Sequence, residues 1–175
     1  MGSEMCIRDS TGSDWTLVIP PGNALAEGTY DVVATSTDSL GNAASDGTTS
    51  ELDIDLTPPA TPAVDPLTSN DPTPVLTGTA TVVVGETLAV VANGDTFVEG
   101  DGNLTLTGTT WALQIPAGSA YAADGTYDIT ATVSDPAGNS ATDVTSGEFT
   151  LDTVLPAVPT VNSLLTNDTL SLIHI

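Results

Sequence analysis

An internal repeat of about 97 residues runs through the chain and constrains its fold more than any other feature. The segment WTLVIP at 15–20 recurs as WALQIP at 111–116, and GTYD at 28–31 recurs at 125–128. Such self-similarity is typical of chains built from successive copies of one supersecondary unit. We therefore expect three pieces: the C-terminal half of one module at 11–55, a complete module at 56–152 and the start of a third at 153–169.

The two ends of the chain differ in composition from the repeats. Between residues 11 and 169 there is no Cys, His, Lys or Arg, whereas Cys6, Arg8 and His174 lie outside that interval. The end strings MCIRDS and SLIHI resemble translated sequencing-adapter sequence. We therefore interpret residues 1–10 and 170–175 as artefactual ends that carry no information on fold or function.

Within the complete module, apolar residues recur at every second position, which indicates β-strands with one face in a core. Predicted inward positions are Leu76, Gly78, Ala80, Leu88, Val90, Ala92, Trp111, Leu113, Ile115, Tyr127, Ile129, Ala131, Val133, Phe149 and Leu151. On the same pattern, Glu148 alternates with Phe149 and is expected to face water. Six or seven short strands separated by Gly, Pro, Asn and Asp predict an all-β fold, an antiparallel β-sandwich.

Local signals refine this prediction. Asn93-Gly94 predicts a two-residue hairpin, since both positions tolerate positive φ. Tyr127 follows Asp124-Gly125-Thr126 just before an alternating strand, and looks like a tyrosine corner, in which the phenol bonds an upstream backbone group. Trp111 and its counterpart Trp15 are expected to pack in a core rather than stack on a sugar. Tyr121, which has Leu25 in the earlier copy, is expected to pack on the surface.

Several linked motifs over residues 11–169 resemble a known family. The Trp strand ending in Ile-Pro, Ala-Asp-Gly-Thr-Tyr-Asp, Asp-Pro-Ala-Gly-Asn, a closing Leu-Asp and a Pro-x-x-Pro linker resemble the bacterial Ig-like repeats of giant surface adhesins. The resemblance implies an Ig-like Greek-key β-sandwich in tandem repeats, secretion to the bacterial cell surface, and calcium at or near the joints between modules. The expected partners are neighbouring modules of the same chain, with the distal adhesive target unknown.

The charge of the complete module limits the kinds of partner that it can bind. Residues 56–152 contain nine Asp, three Glu and no basic residue. Nucleic acid is excluded as a partner, because affinity for its phosphates comes largely from Lys and Arg. No apolar run is long enough to span a membrane. So many unpaired carboxylates destabilise a compact state unless cations screen or bind them, and calcium prefers oxygen ligands; a solvated acidic coat is the alternative.

Two groups of oxygen-bearing side chains are candidate calcium ligands. In a seven-strand Greek key, the loop between the last two strands lies at the end of the sandwich where the chain enters. Asp135 and Asn139 in that loop should therefore face the linker that carries Asp53 and Asp55. The alternative is that Asp135 and Asn139 only cap a turn. Asp152 is the counterpart of Asp55 at the next joint. The second group is Glu99, Asp101 and Asn103, spaced by glycines as in the first half of a calcium loop but without its distant bidentate Glu.

Three functional classes remain to be compared. The first is a structural spacer, or stalk, that extends a distal binding domain for cell adhesion or biofilm formation, with joints stiffened by proline and calcium. The second is a carbohydrate- or surface-binding Ig-like module, which requires a patch of aromatic or polar residues unique to one copy. The third is an enzyme, which requires a catalytic constellation unique to one copy. Because the linked motifs recur between copies, the sequence favours the non-catalytic spacer.

Overall fold

The computed structural model describes the backbone of residues 10–11 and 14–161 and the side chains of residues 15–161. The chain separates into two compact units, residues 1–58 with 135–139, and residues 59–134 with 140–175. The expected artefactual segments, apart from residue 10, lie outside the described residues, as does the expected third module beyond residue 161. Among the described residues, no helix is both long and apolar enough to cross a membrane.

The first unit consists of three antiparallel strand pairs. β1 (Ser10–Thr11) pairs with β2 (Asp14–Trp15). A 3₁₀ turn at Pro21–Asn23 separates them from the remaining strands, which are β3 (Gly28–Tyr30), β4 (Thr35–Thr37), β5 (Ala43–Ser45) and β6 (Leu52–Ile54). β3 pairs with β6, and β4 pairs with β5.

The second unit is a β-sandwich. Its strands are β7 (Ala63–Val64), β8 (Leu67–Ser69), β9 (Val75–Thr79), β10 (Thr87–Ala92), β11 (Asp95–Val98), β12 (Leu104–Thr107), β13 (Thr110–Gln114), β14 (Gly125–Tyr127), β15 (Thr130–Ser134), β16 (Ser140–Thr142) and β17 (Phe149–Leu151). They form sheets in the orders β11-β10-β15-β16, β12-β13-β9-β7 and β14-β17-β8. All pairs are antiparallel except β17 with β8, which is parallel. A 3₁₀ turn lies at Ala117–Ser119.

The inward positions predicted from the alternation form the core of this sandwich. All of them are buried except Tyr127, which is half-buried and packs against the core. The hairpin at Asn93-Gly94 is confirmed: Ala92 pairs with Asp95, and both turn residues have positive φ, 51° and 85°. The prediction of an all-β sandwich is therefore confirmed.

The strands are shorter and more numerous than predicted, in part because two of them change sheets. Asp65-Pro66 separates β7, which pairs with β9, from β8, which pairs with β17. Residues 128–129 separate β14 from β15 in the same way, since β14 pairs with β17 and β15 with β10. At each break the backbone leaves one ladder before it joins another, so its polar groups need other partners.

The two units share strand registers at the spacing of the repeat. In the first unit Gly28 pairs with Ile54 and Thr35 with Ser45. The positions 97 residues later pair identically in the second unit, Gly125 with Leu151 and Thr132 with Thr142. Sequence similarity at this offset therefore corresponds to the same backbone pairing.

Trp15 differs from its counterpart Trp111. Trp111 is fully buried and its indole Nε1 donates to the Ala63 carbonyl oxygen at 3.2 Å. Trp15 is 57% exposed, so the expectation that it packs in a core is wrong for this structure. The physical reason is local: the described residues of the first unit contain no strand equivalent to β9, which pairs with β13 and carries Gly78 opposite Trp111.

Candidate functional site

The loop at residues 135–139 is closed by its own first and last side chains. Asp135 Oδ1 accepts a hydrogen bond from the Asn139 amide at 2.8 Å, and Oδ2 accepts one from Asn139 Nδ2 at 2.9 Å. Burial raises the pKa of Asp135, but the hydrogen bonds from Asn139, Gly138 and Ala137 outweigh it and leave the pKa below its ordinary value. Both carboxylate oxygens are thus engaged in holding the turn.

The earlier copy contains the same loop at residues 38–42. Asp38 Oδ1 accepts from the Asn42 amide at 2.9 Å, and Oδ2 accepts from Asn42 Nδ2 at 2.7 Å. The side chain and backbone of Asn42 lower the pKa of Asp38. Repetition of the whole arrangement indicates that the Asp and Asn of this motif are retained to shape the loop.

The acidic residues predicted near this loop make separate local bonds. Within the first unit, Asn139 Nδ2 also donates to the backbone carbonyl of Asp55 at 3.0 Å. The Asp55 carboxylate accepts from the Thr57 amide at 3.0 Å, while Asp53 accepts from the Thr29 hydroxyl at 3.2 Å. In the second unit, Asp152 accepts from the Val154 amide at 3.0 Å, as Asp55 does 97 residues earlier.

The second predicted group, at residues 99–103, forms the turn between β11 and β12. Asp101 accepts three backbone amides: those of Asn103 at 2.7 Å, Leu104 at 3.0 Å and Val98 at 3.1 Å. The amides of Leu104 and Asn103 lower the pKa of Asp101 below its ordinary value, against a smaller opposing effect of burial. Asp101 therefore organises this turn. No hydrogen bond joins it to the side chain of Glu99 or Asn103.

In the described residues, the carboxylates of both groups already have hydrogen-bond donors of the chain as partners. Within residues 15–161, no three or more His, Cys, Asp and Glu side chains converge as a metal site requires. Calcium takes six to eight oxygen ligands, whereas the carboxylates of Asp135 and Asp101 are directed at amide donors. Calcium at these residues stays a prediction that a binding measurement has to decide.

Sequence reasoning missed an acidic clasp that spans the break between β14 and β15. Glu148 was expected to face water, but it is only 5% exposed, and that expectation is wrong. Its Oε2 accepts a hydrogen bond from the Ile129 amide at 2.9 Å. In return, Asp128 Oδ1 accepts the Gly147 amide. Two carboxylates thus accept hydrogen bonds from two backbone amides. The Ile129 amide lies at the break between β14 and β15, and the Gly147 amide lies just before β17.

The clasp recurs in the first unit at the 97-residue offset. Glu51 Oε2 accepts the Val32 amide at 3.0 Å, and Asp31 Oδ1 accepts the Ser50 amide at 2.7 Å. Ser50 has φ of 67°, and Gly147 in the later copy has φ of 75°. The left-handed backbone is therefore part of the clasp, and glycine is the residue that adopts it without strain.

The tyrosine corner is confirmed in both copies. Tyr127 donates its hydroxyl to the Ala123 carbonyl at 2.6 Å, and Tyr30 donates to the Ala26 carbonyl at 2.9 Å. Each bond spans four residues and fixes the entry to β14 or β3. The corner therefore holds the start of the strand that the acidic clasp secures further along.

Tyr121 lies in the core, so its expected surface position is wrong. It is 3% exposed, with its ring centroid 4.5 Å from that of Tyr127 and 4.7 Å from that of Phe149. Its hydroxyl has no hydrogen-bond partner among the described residues. Burial, with a smaller contribution from Tyr127, raises the pKa of Tyr121 to about 12. A ring in this position has no free face for stacking on a sugar.

Comparison with models of known protein families gives a match for the second unit. A family model described as bacterial Ig-like domain matches residues 60–153, a segment that includes every strand from β7 to β17. A search of curated proteins finds none that matches the chain. The matched segment covers more than half of the 175 residues and coincides with the β-sandwich of the second unit. The chain therefore belongs to the bacterial Ig-like domain family.

Proposed function

We propose that the chain is a non-catalytic structural spacer of a bacterial cell-surface adhesin, which holds a distal binding domain away from the cell during adhesion or biofilm formation. The observation that carries the proposal is repetition of the structural devices. The tyrosine corner, the Asp-Asn loop and the acidic clasp each occur twice, 97 residues apart. A spacer needs the same scaffold in every copy, whereas a recognition site needs only one.

The use made of the acidic side chains supports a structural role. Asp101, Asp128, Asp135 and Glu148 all accept hydrogen bonds from backbone amides, at turns or at strand breaks. A carboxylate bonded to a backbone amide stabilises the local fold through a charge-assisted hydrogen bond. These acids therefore stabilise the fold in both units. The negative charge of the other acidic side chains favours solubility and repulsion between copies of the protein.

A surface-display experiment tests the spacer role. The whole chain is placed between an outer-membrane anchor and a small binding domain of known ligand, and capture of ligand-coated beads by the cells is measured. Deletion of residues 59–153 is expected to reduce capture, and an unrelated β-sandwich of equal length is expected to restore it. The matched control displays the chain without the binding domain. Bead-independent attachment of those control cells to glycans or to other cells would favour the alternative, a carbohydrate- or surface-binding module.

Calcium stiffening of the joints is the second part of the proposal. It rests on the oxygen-rich residues Asp53, Asp55, Asp135 and Asn139, and on Asp152 at the next joint. Added calcium is expected to raise the melting temperature of the chain, and Asp135→Ala is expected to reduce that gain. Magnesium at the same concentration is the control, since its small size demands near-ideal octahedral geometry. Equal melting with calcium and with chelator would remove calcium from the proposal and leave the spacer role standing.

A further inference from the structure

Asn93 lies at the tip of the hairpin between β10 and β11 and bonds a segment outside that hairpin. Its Nδ2 donates to the backbone carbonyl of Ser119 at 3.0 Å and to that of Ala120 at 3.2 Å. These two acceptors are the residues before Tyr121, which is buried in the core. We call the two bonds the Asn93 tether, because they fasten the segment that leads into the core to the end of the hairpin.

The tether depends on a side-chain amide that the next residue makes chemically labile. Asn93 is followed by Gly94, and none of the other asparagines in the sequence precedes a glycine. The backbone nitrogen of the following residue can attack the Cγ atom of an asparagine, and glycine hinders this attack least because it has no Cβ. Asn93 and Gly94 are both exposed, so water has access to them. The sequence thus places its most reactive asparagine at the tether.

We propose that Asn93 is a site of spontaneous deamidation, and that its conversion releases the tether irreversibly. The Gly94 nitrogen loses its proton to the solvent and forms a bond to Asn93 Cγ. The bond between Cγ and Nδ2 then breaks, and Nδ2 takes up a proton and leaves as ammonia. Water opens the resulting succinimide ring at one of its two carbonyl carbons and gives aspartate or isoaspartate. Water is the only co-reactant that the conversion consumes.

The product cannot form the tether. An asparagine amide donates two hydrogens, whereas an ionised carboxylate only accepts hydrogen bonds. The carbonyl oxygens of Ser119 and Ala120 also only accept, so a carboxylate in this position loses both bonds and repels both oxygens. Because the acid does not revert to the amide, a released tether does not form again.

The folded structure also controls when the conversion occurs. Attack on Cγ requires the Asn93 carboxamide to turn toward the Gly94 nitrogen, but two bonds hold it at the Ser119 and Ala120 carbonyls. The hairpin in addition fixes the backbone of both turn residues at positive φ. Conversion therefore follows local opening of the tether, and such openings are rarer than in an unfolded chain.

Mass spectrometry of the whole chain tests the site and the protection. The chain is incubated in mildly alkaline buffer with and without urea and is then cut with a protease specific for acidic residues. Replacement of the side-chain NH₂ by OH is measured at each asparagine. Asn93 is expected to convert before the other described asparagines, because only Asn93 precedes a glycine. Its conversion is expected to be several-fold slower without urea, where the tether is closed.

Three variants test the effect of conversion on stability, with thermal unfolding followed by Trp111 fluorescence in a Trp15→Phe background. Asn93→Asp carries the side chain of the product and is expected to lower the melting temperature by at least about 4 °C, through loss of the tether. Asn93→Gly removes the tether without adding a charge and is expected to melt between Asn93→Asp and the unmodified chain. Asn70→Asp is the matched control, since it adds the same charge at an exposed turn and should leave the melting temperature unchanged.

Three results would each overturn the proposal. The first is conversion of another described asparagine before Asn93. The second is an equal rate of Asn93 conversion with and without urea, which would show that the tether gives no protection. The third is an Asn93→Asp variant that melts like the unmodified chain or like Asn70→Asp.

Discussion

The Glu148 carboxylate accepts the backbone amide of Ile129 at 2.9 Å across the point where the chain passes from β14 to β15. The amide at this break lies outside both ladders, and burial without an acceptor would cost free energy. Burial alone would raise the pKa of Glu148, but hydrogen bonding, chiefly from the Ile129 amide, outweighs it and lowers the pKa. The acid is therefore ionised at neutral pH and holds the break in place.

Glu148→Ala is expected to lower the free energy of unfolding of the second unit by about 1–3 kcal/mol, because it leaves the buried Ile129 amide without an acceptor. The measurement is urea denaturation followed by Trp111 fluorescence in a Trp15→Phe background. Glu86→Ala is the matched control: Glu86 also bonds an amide, that of Val83, but at an exposed turn, and its loss should cost under about 0.5 kcal/mol. Equal effects of the two substitutions would contradict a special role for the clasp.

Gly147→Ala is expected to destabilise the second unit by about 1–2 kcal/mol, because its φ of 75° is strained for any residue with a Cβ. That Cβ would also lie 3.1 Å from the Thr126 Cγ2 atom. Gly118→Ala, in a turn with open space around the position, serves as the control and should leave the melting temperature unchanged. Thermal denaturation monitored by circular dichroism compares the two, and similar melting of both variants would argue against strain at Gly147.

Tyr127→Phe and Tyr121→Phe should change stability in different directions. Tyr127→Phe removes the corner hydrogen bond to Ala123 and is expected to cost about 1 kcal/mol of unfolding free energy. Tyr121→Phe removes a buried hydroxyl without a partner among the described residues and is expected to leave stability unchanged or raise it. Urea titrations of both variants measure this. A larger loss for Tyr121→Phe than for Tyr127→Phe would show that the roles are reversed.

Alkaline pH should destabilise the second unit through Tyr121. Its pKa is raised to about 12 in the folded state against an ordinary value of 10.0, so the folded state binds the proton more tightly than the unfolded state. This contribution is fully present below pH 10 and is lost progressively as the pH rises to about 12. In the Tyr121→Phe variant, stability is expected to fall less as the pH rises over this range. Ultraviolet absorbance of the tyrosinate anion follows the titration, and a Tyr121 that titrates with an ordinary pKa would refute the expectation.

The core could be predicted because strands with one buried face leave a period of two in the sequence. Trp111, Leu113 and Ile115 follow it, and all three are buried. Glu148 departs from this pattern, because it is buried although it alternates with the buried Phe149. Its carboxylate bonds the Ile129 amide at the sheet change of residues 128–129, and a period of two does not reveal a sheet change. A signal was present: the acids of the clasp recur at the repeat offset, Asp31 with Asp128 and Glu51 with Glu148.

The candidate calcium ligands could be predicted from the sequence only as side chains that carry oxygen atoms. The sequence does not show whether a metal ion or a backbone amide is the partner of such an oxygen. Asp135 and Asp101 illustrate the point, since both bind backbone donors within their own turns. Tyr121 was misplaced for a different reason. Its burial depends on the rings of Tyr127 and Phe149, which lie near it only after the strands have paired.

The parallel pairing of β8 with β17 has a mechanical consequence. These strands lie near the two ends of the sandwich in sequence, and Leu67, Thr68 and Ser69 run in the same direction as their partners Phe149, Thr150 and Leu151. A tensile force applied at both ends pulls the two strands past each other along their length. Their hydrogen bonds then bear the load together in shear rather than opening one at a time like a zipper.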